Sequence, residues 1–204
     1  MKSQSKSGSS RRVFLAQTSG IASLGAAPWI GRAAPAANDR IGIGLIGVGG
    51  RGSDHRDELI RLATSQNVQI TAVCDVWRKA SQAAAEKVTQ RLGHEPRQFT
   101  RFGDLLEQRD VDAVVIATPD FSHGTILTAA LKAGKDVYVE KPMTIDLASA
   151  REALDLARAG SRVVQTGTQR RSDGHFRAAA KYILTGELGQ ISRVSAAVGF
   201  NEPR

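Results

Sequence analysis

The chain has 204 residues, 41% apolar and 24% charged side chains, and a formal charge of +8. That suffices for one full globular domain and the start of another. The charge does not mark a nucleic-acid binder: residues 1–36 hold five basic side chains and no acid, the other 168 hold 23 basic and 20 acidic ones, and no basic stripe is interleaved with aromatics.

Residues 1–9 are polar. Arg11 and Arg12 follow, then a mildly apolar stretch to residue 30 that still contains Gln17, Thr18, Ser19, Gly20, Ser23 and Gly25. This is too polar for a comfortable membrane span. Ala34, Pro35 and Ala36 supply small residues for a signal peptidase. The pattern resembles a twin-arginine (Tat) export signal, which implies a folded cargo delivered to the periplasm or another extracytoplasmic space. Membrane contact is expected only through an uncleaved leader. Residues 1–36 are set aside as that leader, residues 37–170 are expected to form a dinucleotide-binding domain, and residues 171–204 to begin a second domain.

Residues 40–52 read RIGIGLIGVGGRG. Ile41, Ile43, Leu45, Ile46 and Val48 make an apolar run suited to a strand buried on both faces. Gly47, Gly49 and Gly52 fall at G-x-G-x-x-G spacing where that strand ends. Gly47 permits the tight turn, Gly49 lets a pyrophosphate approach the backbone, and Gly52 lets helix and strand pack closely. The phosphates are expected at the N-terminus of the helix that follows, over residues 53–63, where free N–H groups and the helix dipole favour negative charge. A second register, Gly42-x-Gly44-x-x-Gly47, is rejected because two of its glycines fall inside the strand.

Residues 68–75, VQITAVCD, read as a second strand. The one cysteine, Cys74, is expected to be a small buried apolar residue. Asp75 lies 23 residues after Gly52, close to the spacing at which a carboxylate accepts both ribose hydroxyls of an adenosine. It would repel a 2′-phosphate, so NAD is favoured, with NADP the alternative because Arg78 stands close by. The competing reading of Asp75 is an N-cap for an alanine-rich helix over 79–92.

A short strand over 98–102, a helical turn over 104–108 and a buried strand over 112–117 follow. Thr118, Pro119 and Asp120 end that strand. A helix over 121–133 places Ile126, Leu127, Ala130 and Leu131 on one face. A strand over 136–139 leads to Glu140-Lys141-Pro142, where Pro142 bars helix at Lys141 and is a candidate for a cis bond. Thr144 is expected to cap a helix over 145–158 whose Leu147, Ala150, Leu154 and Ala157 face inward. A sixth strand over 163–168 precedes Gln169, Arg170 and Arg171, then a helix over 176–185 and an unpartnered strand over 191–199. Strands alternating with helices imply an α/β, doubly wound parallel sheet. Ligands in such sheets bind outside the carboxyl strand ends at the switch in strand order, where four segments would converge: residues 47–52, Asp75, residues 118–120 and residues 140–142. The Glu140–Lys141 pair reads either as a surface salt bridge or as a charge set beside a nicotinamide and a substrate hydroxyl, with Lys141 stabilising developing alkoxide charge.

The segments GVGGRG at 47–52, VCD at 73–75, VVIATPDFSHG at 114–124, AGKDVYVEKPM at 133–143 and QTGTQRR at 165–171 together resemble the Gfo/Idh/MocA oxidoreductases. That resemblance implies nicotinamide-dependent hydride transfer on a sugar or polyol. It makes Gly47, Gly49 and Gly52 the pyrophosphate turn, Arg51 a phosphate contact and Asp75 the ribose ligand. Thr118 and Pro119 would flank the nicotinamide, with His123 and Glu140 on the cofactor side and Lys141 at the hydride-transfer centre. No metal site is assigned. His55, His94 and His175 do not match the family's proton-transfer pair, so the chain reads as a fragment whose general base lies beyond residue 204, in a protein that would form a homo-oligomer at full length. The alternatives are an NAD-dependent glycosidase on the same scaffold and a non-catalytic dinucleotide-binding module.

Overall fold

The computed structural model describes residues 40–195. The twin-arginine stretch and the last part of the expected strand over 191–199 therefore lie outside the described residues. Six strands, β1 (Ile41–Ile46), β2 (Val68–Cys74), β3 (Arg97–Phe99), β4 (Ala113–Ile116), β5 (Asp136–Glu140) and β6 (Val164–Gly167), form one sheet in the order β3-β2-β1-β4-β5-β6. Every pairing is parallel. Parallel neighbours require crossovers. These are supplied by α1 (Gly50–Leu62), α2 (Arg78–Leu92), α3 (Phe102–Leu106), α4 (His123–Lys132) and α5 (Leu147–Gly160), with α6 (Gly174–Leu184) after the last strand. The chain runs outward from β1 to β3, returns to β4 beside β1, and runs outward again. The strand order thus reverses between β1 and β4, as the doubly wound reading requires.

Each face of the sheet has its own core. Ile43, Leu45, Ile70 and Val73 pack against Ala84, Ala85 and Val88 of α2 and Leu59 and Ile60 of α1. Ile46, Val114, Ile116, Val137 and Val139 pack against Leu105 of α3, Ile126, Leu127 and Ala130 of α4 and Ala153 of α5. Burial of both faces explains why the strands carry continuous apolar runs rather than alternation. Cys74 is buried, and burial pushes its thiol up to about 12, as befits an inert packing residue.

Several boundaries differ from the sequence expectation. Helix α1 begins at Gly50 rather than residue 53, so the glycine turn and the helix overlap and Gly52 sits inside the helix. The third strand ends at Phe99 and the helical turn after it starts at Phe102. Helix α4 is preceded by one 3-10 turn, Asp120–Ser122. Helix α5 begins at Leu147, and its N-cap is Asp146, whose Oδ1 accepts the Ser149 N–H at 2.8 Å. Thr144 is not the cap; its hydroxyl donates to the Asp146 carbonyl. The buried face also differs: Leu147 and Leu154 are exposed, while Ala153 is buried and Leu156 packs on the core with the expected Ala157.

Helix α6 has no buried residue, and Phe176, Tyr182, Ile183 and Leu184 are exposed along it. Residues 191–195 of the expected final strand are irregular. A strand needs a hydrogen-bonded neighbour, and no described strand pairs with this segment.

Candidate functional site

The β1–α1 turn is built as the glycine spacing demands. Gly47 has φ +82°, a conformation disfavoured for residues bearing a Cβ. Its N–H donates to the Cys74 carbonyl at 2.8 Å. A Cβ on Gly52 would lie 2.0 Å from the Gly47 carbonyl oxygen, so only glycine lets α1 begin this close to the strand. A Cβ on Gly49, by contrast, would meet nothing within 4 Å. Gly49 therefore presents bare backbone to open space at the start of α1, the approach a pyrophosphate needs.

Asp75 follows β2 directly. One carboxylate oxygen accepts the Val48 N–H at 3.0 Å and the other accepts the Trp77 N–H at 2.9 Å. The carboxylate thus ties the glycine turn to the end of β2, and each oxygen keeps a further acceptor site. It does not cap α2, whose N-cap is Trp77.

At the end of β4, the Ser122 hydroxyl donates to Thr118 Oγ1 and the Pro119 carbonyl, both at 2.7 Å. His123 is almost fully buried. Its Nδ1 lies 2.7 Å from the Pro142 carbonyl oxygen and its Nε2 2.8 Å from that of Thr118. His123 therefore bridges the Thr118–Pro119 loop to the loop after β5, with a backbone carbonyl at each ring nitrogen. The Lys141–Pro142 peptide is cis.

Glu140, the last residue of β5, is 4% exposed. Its Oε1 accepts from Arg51 Nε at 3.0 Å and lies 2.8 Å from His55 Nε2, and its Oε2 accepts the Lys141 N–H at 3.2 Å. Burial works against this carboxylate, but the bonds from Arg51, His55 and the Lys141 N–H outweigh it and hold its pKa below the usual value. The Arg51 guanidinium, expected at the phosphates, is engaged by Glu140 and by Asp54 at 3.1 Å, because a buried carboxylate requires a partner. Glu140 makes its salt bridge with Arg51 and not with Lys141. This ion pair runs from α1 to β5, with Lys141 left exposed beside it. His55 is the partner of Glu140 that sequence reasoning missed. Its signal was its place four residues after Arg51, on one face of a helix.

Arg51, Thr118, Asp120, His123, Lys141 and Gln169 line a cleft of about 200 Å³. It lies at the carboxyl strand ends beside the β1/β4 switch. Arg170 leans over the Phe176 ring at 5.9 Å instead of entering it. A larger hollow of about 450 Å³ lies at the opposite strand ends. There Arg97 pairs with Asp110 and Arg40 donates to the Gln69 side-chain oxygen; the smaller cleft is the one at the carboxyl strand ends, where ligands of doubly wound sheets bind. The carboxyl strand ends together carry groups that fit a dinucleotide: bare backbone at the start of α1, an acceptor carboxylate directly after β2 and the exposed Lys141 after β5.

Residues 41–168 match the model of an oxidoreductase family with an NAD-binding Rossmann fold, Gfo/Idh/MocA. The chain is 35% identical over 149 residues to an inositol 2-dehydrogenase of Salmonella typhimurium, covering 72% of this chain and 42% of that protein. It is 38% identical over 152 residues to inositol 2-dehydrogenase 1 of Mycolicibacterium vanbaalenii, covering 73% and 42%. Among solved structures, a scyllo-inositol dehydrogenase from Lactobacillus casei with bound NAD(H) and scyllo-inositol superimposes with a TM-score of 0.67 at 27% identity, covering 75% of this chain and 43% of that one. The chain spans less than half the length of these relatives.

Proposed function

This chain belongs to the Gfo/Idh/MocA oxidoreductase family, and from that premise we propose that it binds NAD(H) in the cleft at the carboxyl strand ends and serves hydride exchange with a sugar or polyol hydroxyl, a cyclitol first among them. The observation that carries this reading is convergence. The open glycine turn, Asp75 and Lys141 come from β1, β2 and β5, yet all stand at the mouth of the β1/β4 switch. The inositol dehydrogenases among the relatives support the cyclitol class.

When bound, the nicotinamide supplies the hydride acceptor or donor. The remaining work belongs to the chain. Backbone amides at the start of α1 hold the pyrophosphate. Asp75 accepts from the adenosine ribose and disfavours a 2′-phosphate. Thr118 and Pro119 border the nicotinamide side. The Lys141 ammonium orients the substrate hydroxyl and stabilises negative charge developing on its oxygen. Export in folded form is supported by Arg11, Arg12 and the small residues at 34–36.

Titration of the chain with NADH, followed by coenzyme fluorescence, tests the reading. Saturable binding is expected. The variant Asp75→Asn should weaken NADH about tenfold, the loss of roughly one charge-assisted hydrogen bond, and should narrow the preference over NADPH. A folded chain that leaves NADH fluorescence unchanged overturns the proposal.

A further inference from the structure

Glu140 occupies a pocket made by three elements. Arg51 and His55 of α1 both reach Oε1. The His55 ring stands edge-on to Tyr138 of β5 at 5.0 Å between centroids. Gly167, the last residue of β6, closes the far side: a Cβ there would fall 3.0 Å from Glu140 Oε1 and 2.7 Å from the Tyr138 hydroxyl. So a carboxylate at the end of β5, almost fully buried at the cleft wall, is closely approached by Gly167 and held by two donors from the helix that carries the glycine turn.

The consequence falls on Lys141. Its neighbouring carboxylate is engaged elsewhere, and among the described residues the Lys141 ammonium makes no ion pair. Strip away the two donors and Glu140 becomes a buried charge without a side-chain partner, a costly state. The cation next along the chain is Lys141.

We propose that Arg51 and His55 are positioning residues: by tethering Glu140 from α1 they keep that carboxylate off the Lys141 ammonium and fix the peptide N–H from which Lys141 projects. The lysine thereby stays available to an oxygen in the cleft. This rests on the proposed function only for the use made of the lysine; the tether itself is a property of the chain without coenzyme.

The experiment reads the freedom of Lys141 directly. The full chain is treated at fixed pH with an N-hydroxysuccinimide acetate, and acylation of Lys141 is quantified by peptide mass spectrometry, with no coenzyme present. In Arg51→Met/His55→Leu, Glu140 pairs with Lys141 and acylation falls about two- to fivefold, the range of a partly exposed ion pair. Arg51→Gln/His55→Gln makes the same change of residue charge but keeps a donor. The Gln Nε2 stands at the same bond count from the backbone as Arg Nε. This variant should react within about 1.5-fold of the parent, on the same scale. Adding Glu140→Gln to the Met/Leu variant should restore parental reactivity. Equal losses in the Met/Leu and Gln/Gln variants would assign the effect to lost charge and overturn the tether. So would unchanged acylation in a Met/Leu variant that keeps its far-UV circular dichroism. If Met/Leu fails to fold, His55→Leu against His55→Gln reads the same contrast. Because NADH takes no part, this result and the coenzyme titration can fail independently.

Discussion

Glu140 concentrates the physics of the site in one side chain. It is buried and charged, so its ionised form survives only through Arg51, His55 and the Lys141 N–H. Those bonds hold its folded pKa below the ordinary 4.5, against the opposing effect of burial. The sign follows: a carboxylate with a lowered folded pKa stabilises the fold above its unfolded pKa, and that contribution is lost as pH falls through the folded value. Urea denaturation of the parent and Glu140→Gln should therefore differ by about 1.5–3 kcal/mol at neutral pH, the worth of hydrogen bonds to a charged group. The difference should shrink as pH drops below 4.5. A gap that stays constant into acid would show that Glu140 is not ionised in the fold. The sequence made it legible that a charged pair stood at a strand mouth. It did not reveal the partners, because Arg51 and His55 lie 89 and 85 residues away and meet Glu140 only once β1 and β5 share a sheet. His123 shows the same limit: sequence placed it after β4, but not that its ring would bridge the Thr118 and Pro142 carbonyls, 5 and 19 residues away along the chain.

At the scale of elements, type and order were legible through β6, whereas edges, and the unpaired segment at 191–195, were not. All six strands and their parallel arrangement follow from short apolar runs separated by helical spacing. The edges moved where a cap or a turn competes with periodicity. In α5, both Thr144 and Asp146 are acceptable caps by residue type. Asp146 wins because its carboxylate reaches both the N–H and the hydroxyl of Ser149, each at 2.8 Å. Within the helix, Ala153 rather than Leu154 enters the core. Asp146→Ala should then cost about 1 kcal/mol in a denaturant titration, and Thr144→Ala less than about half of that. The reverse order would return the cap to Thr144. The glycine turn shows the same competition: α1 starts three residues early because the contact of Gly52 with Gly47 permits helix inside the fingerprint itself.

At the scale of the whole molecule, residues 41–167 and the segment after them obey different rules. The sheet buries two cores, whereas α6 buries no residue and contacts chiefly the 3-10 turn Gln169–Ser172. An 11-residue helix without tertiary burial is marginal in water, and the apolar side chains of Phe176, Tyr182, Ile183 and Leu184 face solvent. Stability of the sheet should therefore be independent of α6. Ending the chain at Asp173 is expected to move the thermal midpoint by no more than about 2 °C, since a 1 kcal/mol change in a domain of this size shifts it by roughly 2–8 °C. Amide hydrogen exchange should agree: β1, β4 and β5 exchange only through global unfolding, while α6 and residues 188–195 exchange almost as free chain. Strong protection in α6, or a midpoint lowered by more than about 5 °C on truncation, would mean that α6 belongs to the cooperative unit. The division of the molecule into a self-sufficient sheet and an exposed apolar continuation would then be wrong.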